Sequence, residues 1–127
     1  MLPRAASRVD RLAPAGPALE ELLIDSLLLL PLDERPINVH FPRLLAAMLG
    51  WALESPTEYL GSRKRGADRA AIATWLQEKG APSPAGGGPV GAIIAIDTLA
   101  WGGLIPSRQS GNDLDAALEH LQSLRHL

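Results

Sequence analysis

Two short polar stretches, each directly after an apolar run, hold most of the side chains able to do chemistry. In Asp33-Glu-Arg-Pro-Ile-Asn38, two carboxylates, a guanidinium and an amide follow one another closely. Adjacent residues point in different directions. One carboxylate could therefore act as acid, base or ligand while the other caps a helix or pairs with Arg35. The same run would serve equally as a plain turn and helix cap. In Asp97-Thr-Leu-Ala-Trp-Gly-Gly-Leu-Ile-Pro-Ser-Arg108, an acid is followed by an indole, two glycines and a Ser-Arg pair. Gly102 and Gly103 permit positive φ or close backbone approach, and Arg108 could grip a carboxylate, phosphate or polyol through its forked donors. Trp101 would be either a sugar-stacking wall or a core aromatic, and Asp97 either an acid/base group or a tie to Arg35.

A third stretch, Gly61-Ser-Arg-Lys-Arg-Gly66, precedes Ala67-Asp68 and a helical pattern. Backbone amides and basic side chains at a helix start can meet an anion, which makes Gly61 and Lys64 candidate anion-binding residues against the alternative of a solvated basic turn. It is not a phosphate-binding P-loop, because Ala67-Asp68 stand where Lys and Ser/Thr are required. The chain has no Rossmann G-x-G-x-x-G after the first apolar run, no G-x-S-x-G elbow and no H-E-x-x-H. His40 lies near the first polar loop, and His120 and His126 lie near the last helix's end, where a cation suits the dipole. No metal is assigned, and no cofactor is specified.

The elements that must position these loops alternate. Ser26 to Leu32 is a continuous apolar run, the pattern of a central parallel strand covered on both faces. Asn38 or a neighbour then caps a helix whose Phe41, Leu44, Leu45, Met48 and Leu49 share one face, with Gly50 as its stop and Pro42 acceptable only in the first turn. Trp51 to Ser55 is a shorter, less apolar strand that suits a sheet edge. From Asp68 a second helix presents Ile72, Trp75 and Leu76 and ends at Gly80, before a Pro/Gly/Ser stretch reaching Pro89. Val90 to Ile96 is a strand apolar throughout. Asn112 starts the last helix, with Leu114, Ala117, Leu118, Leu121 and Leu124 as its buried stripe.

This alternation predicts a three-layer α/β fold of Rossmann-like or flavodoxin-like type, a short parallel sheet in the order 2-1-3 with flanking helices. Ligands in such sheets bind outside the carboxyl ends of the strands, at the point where strand order reverses, so both polar loops should converge there. With only three strands the third has an unpaired edge, a route to self-association that predicts an incomplete domain. Residues 1–18 are rich in Ala, Pro and Arg without periodicity and read as a disordered tail, leaving 19–127 as the N-terminal α/β portion of a larger domain. Leu19, Leu22 and Leu23 have the spacing of one helical turn.

The bulk numbers narrow the partners. Twelve basic and fourteen acidic residues leave a formal charge of -2, so no whole-chain field draws nucleic acid or an anionic membrane. The longest apolar run is far below the ~20 residues of a membrane helix. The chain has no cysteine, which removes disulfides and thiolate chemistry and fits a reducing, cytoplasmic compartment.

Leu30-Pro-Leu-Asp-Glu-Arg-Pro-Ile-Asn38 resembles the signature of a bacterial family known as domain of unknown function 4127. Tyr59-Leu-Gly61 with Lys64 and Ala67-Asp68 is similar to that family's "LLG…K…AD" segment, and Ile96 to Arg108 resembles its "D-M-L-A-Y-G-G-L-V-P-S-R". The three matches fall in order and span roughly Leu27 to Leu127. The resemblance implies a protein several times longer, and so a truncated chain here, and it carries no established activity. Thr98 stands where Met is usual, Trp101 where Tyr is usual, and Arg65-Gly66 replaces a small or proline lead.

Together these readings predict a small-molecule site in an uncharacterised α/β protein. The leading expectation is a hydrolase acting on a carbohydrate or phosphorylated metabolite. Asp33, Glu34 and Asp97 would supply acid/base chemistry, and Arg35, Asn38, Trp101, Gly102, Gly103, Ser107 and Arg108 would hold substrate. The alternatives are a noncatalytic binding module on the same residues and an inactive truncated remnant.

Overall fold

The computed structural model describes residues 25–84, 87–109 and 111–127. The expected tail and the helical turn at Leu19, Leu22 and Leu23 lie outside the described residues. Strands β1 (Asp25–Leu30), β2 (Trp51–Glu54) and β3 (Pro89–Ile94) form one all-parallel sheet in the order β2-β1-β3. This is the predicted 2-1-3 arrangement. Helix α1 (Pro36–Met48) joins β1 to β2, and α2 (Arg69–Gly80) carries the chain back across to β3. Because parallel crossovers are right-handed, these opposite traverses place α1 and α2 on opposite faces of the sheet. Short helices α3 (Ile96–Trp101) and α4 (Leu104–Ser107) follow β3, and α5 (Leu114–Gln122) closes the described chain together with a 3-10 turn over Ser123–His126. No helix among the described residues is long and apolar enough to cross a membrane.

The core sits on the α2 side of the sheet. Leu30, Ile72, Leu76 and Leu99 are wholly buried against one another, with Tyr59, Trp75, Ile94, Leu121 and Leu124 packed around them. Their sources explain the arrangement: β1 contributes Leu30, one stripe of α2 contributes Ile72 and Leu76, and α3 contributes Leu99. Asp68 caps α2 by accepting the Ala71 N–H at 3.0 Å, as its position before the apolar stripe predicts. Arg69 then reaches across to donate to the Ala100 carbonyl at 2.6 Å, tying the end of α3 to the start of α2.

Several expected details are corrected. The first strand ends at Leu30, leaving Pro31 and Leu32 in the following loop. Helix α1 starts at Pro36, with Arg35 rather than Asn38 at its N-cap, so Pro42 lies inside the helix and removes one i→i−4 hydrogen bond. The shared apolar side of α1 is open: Leu45 is 63% and Met48 82% exposed, and the buried residue of the helix is Ala46. Among the described residues β3 is an edge strand, as expected of the third strand, but its apolar run is not buried throughout: Val90 and Ile93 are exposed. In α5 the cap is Asp113, and Ala117, Leu121 and Leu124 turn inward while Leu114 and Leu118 are exposed.

Candidate functional site

Three loops meet beyond the carboxyl ends of β1 and β3. Leu32 to Arg35 leaves β1, Leu60 to Ala67 leads into α2, and Thr98 to Pro106 spans α3 and α4; together they wall a cavity of about 440 Å³. That size is within the range of small-molecule sites.

Backbone bonds weld the loops. The Ala67 N–H donates to the Gly102 carbonyl at 2.9 Å, joining the second loop to the third. Gly102 ends α3 in the left-handed region at φ 91°, and a Cβ there would stand 3.2 Å from the Ala67 nitrogen, so residue type and close approach agree. Thr98 joins the third loop to the first. Its hydroxyl is buried and donates toward the Pro31 carbonyl at 2.8 Å and the Leu32 carbonyl at 3.0 Å, the first of them a buried acceptor. Nothing in the spacing of the sequence singles Thr98 out for this part.

Within the first loop Asp33 is fully engaged. Its Oδ1 accepts from the Arg35 backbone N–H at 3.0 Å and the Asn38 amide at 2.7 Å, while Oδ2 accepts from Arg35 Nε at 2.9 Å and pairs with its Nη2 at 2.7 Å. The Arg35 side chain, aided by the Asn38 amide and the Arg35 backbone N–H, holds the Asp33 carboxyl below its ordinary range, against partial burial that pushes it up. Asp33 is thereby a fixed anion that shapes the loop and the start of α1. Glu34, exposed and with no ion pair among the described residues, is the other carboxylate on the wall.

A depressed carboxyl pKa stabilises the fold above the unfolded value of about 3.9 and ceases to do so as pH falls through the folded value. Urea midpoints of the parent should therefore exceed those of Asp33→Asn at pH 7, and the gap should close below about pH 4. A gap of equal size at pH 3 would show that the effect is not the carboxylate's charge.

Of the residues expected in the site, Asp33, Glu34, Arg35, Gly61, Gly102 and Gly103 line the cavity, and Asn38 reaches it through Asp33. Asp97, Trp101, Ser107, Arg108 and Lys64 are not among the lining residues. Asp97 follows β3 by three residues and falls in the first turn of α3, where it is exposed rather than aimed from the strand's end. Trp101 is half-buried at the end of α3, the Ser107 hydroxyl lies 2.6 Å from the Leu104 carbonyl, and Arg108 is exposed past α4. Arg63 and Arg65 line the cavity where Lys64 does not. Among the described residues no three His, Cys, Asp or Glu side chains gather as a metal-binding group.

Fold and cavity together define an open, doubly wound α/β protein with a cavity of mixed charged and apolar lining at its topological switch point. No curated protein and no solved structure matches the chain. Residues 27–127 match the family described as protein of unknown function (DUF4127), and the chain belongs to that family.

Proposed function

We propose that this cavity is a small-molecule site and that the protein is a cytoplasmic hydrolase of a polar metabolite, with Glu34 as its acid/base group. The reading is carried by one observation: three loops enclose a cavity whose wall holds a carboxylate free of the hydrogen bonds that occupy its neighbour. Asp33, Arg35 and Asn38 are positioning residues that fix the loop on which Glu34 sits. The acid/base role goes to Glu34 in this reading because Asp97 is not among the residues lining the cavity.

General acid/base groups contribute roughly 10²–10⁴-fold to turnover, so Glu34→Gln should lower hydrolysis by about that factor, measured on a panel of 4-nitrophenyl phosphates and glycosides. Undiminished hydrolysis by the variant would overturn the assignment. A second reading, a noncatalytic binding module, is favoured for carbohydrates in particular. Glycoside hydrolysis ordinarily uses two carboxylates flanking the bond, and Asp33 is committed to Arg35 and Asn38. Ligand capture without product from any substrate of the panel would decide for the module.

A further inference from the structure

The Ser62 to Arg65 segment is a tight turn. The Ser62 N–H donates to the Arg65 carbonyl at 2.7 Å and the Arg65 N–H returns to the Ser62 carbonyl at 3.2 Å, an isolated antiparallel bridge with Arg63 and Lys64 at its tip. Below it, the chain is held by the Asp68 N–H on the Tyr59 carbonyl and the Ala67 N–H on the Gly102 carbonyl, each at 2.9 Å. A turn clamped at both levels presents its side chains in a fixed sense. Arg63 and Arg65 line the cavity and Lys64, between them, does not.

Charge on the cavity wall is unbalanced in the same direction. Asp33 and Arg35 neutralise each other at 2.7 Å, which leaves one carboxylate, Glu34, and two guanidinium groups, Arg63 and Arg65, as the other charged groups of the wall. Neither Arg63 nor Arg65 forms an ion pair among the described residues. Two forked cations on one rigid turn exceed what a single carboxylate ligand can satisfy, whereas a phosphate monoester carries about -2 and three acceptor oxygens. No aromatic side chain lines the cavity, so it offers no platform for a nucleobase.

We propose that this turn is an oxyanion clamp, with Arg63 and Arg65 holding the phosphate of a non-aromatic phosphate monoester whose polyol portion lies toward Glu34. The assignment rests on the cavity being a small-molecule site and narrows its ligand class.

Titration of the whole chain with glycerol 3-phosphate, inorganic phosphate and glycerol, followed by calorimetry and phosphorus NMR, tests it. Both phosphates should bind and glycerol should not. Arg63→Gln/Arg65→Gln should weaken phosphate binding by at least about tenfold, while Lys64→Gln, with the charge removed one residue away, should bind as the parent does. All the altered side chains are exposed, so equal melting temperatures provide the check on folding. Equal weakening by Lys64→Gln, undiminished binding by the double variant, or no phosphate binding by the parent would each overturn the clamp. Arginine-dependent binding without turnover would leave the clamp standing and remove the hydrolase. Turnover of an uncharged glycoside that ignores Arg63→Gln/Arg65→Gln would do the reverse.

Discussion

Gly61→Ala is expected to cost roughly 3 kcal/mol and to lower the melting temperature by on the order of 10 °C, a severe effect for a single methyl group at a loop position. A Cβ at Gly61 would stand 2.6 Å from the Gly66 carbonyl carbon and 2.7 Å from the Ala67 nitrogen, and closer still to the Arg65 carbonyl oxygen. Every one of these atoms is backbone. No flexible side chain can swing aside, so the turn itself has to open, and the Ser62 to Arg65 bridge and the approach of Ala67 to Gly102 are lost with it. Gly50→Ala supplies the contrast. Gly50 has φ 75°, but a Cβ added there would meet nothing within 4 Å, so its substitution carries only the left-handed backbone strain of roughly 1–2 kcal/mol. Calorimetry on both variants separates the two causes. Equal melting temperatures for parent and Gly61→Ala would mean that the close packing of this turn is not what holds it.

Leu99→Ala should be the most damaging truncation in the core, with a loss of about 3–5 kcal/mol in urea unfolding. Leu99 is wholly buried and is the residue by which α3 enters the cluster of Leu30, Ile72 and Leu76. The vacated space has one partner from β1 and two from α2, each fixed by its own element, so the surroundings can collapse only in part. Total stabilities of small domains are about 5–15 kcal/mol, and such a loss would consume much of the margin. The adjacent Thr98 would lose its hold on the Pro31 and Leu32 carbonyls as α3 loosens, so ligand binding should weaken in parallel. Met48→Ala, on a side chain 82% exposed, should change stability by less than about 0.5 kcal/mol. Similar losses from the two truncations would contradict the placement of the core.

The element order and the sheet topology were readable because the signals are physical constraints. A continuous run such as Leu27 to Leu30 can be covered on both faces only in the middle of a sheet, and an Asp immediately before a helical stripe, as at Asp68, satisfies exposed amides. Apolar periodicity says less about what does the covering. It marks Phe41, Leu44, Leu45 and Met48 as one side of α1, but it carries no information on whether a neighbour packs there, and the structure leaves that side open.

The candidate site was legible in part for a related reason. The Asp33 loop and the paired glycines announce themselves by residue type, whereas the position of Asp97 depends on where β3 stops. Ala95-Ile96 reads as more strand, yet Ile96 already opens α3, so Asp97 falls in a helical turn and not at the strand's end. The selection of Arg63 and Arg65 over Lys64 likewise comes from a backbone bridge, and three basic residues in succession give no hint of which two will share a side.

The registers of the sheet also set an order of assembly. Asp25 meets Trp51 after about 26 residues of chain, while Leu30 meets Ile94 only after about 64. Closing the longer span forfeits more chain entropy, by roughly 0.8 kcal/mol on a logarithmic scale, before any contact compensates it. The β1–α1–β2 unit can therefore nucleate early, and the pocket, which needs the segment after β3, comes into being last.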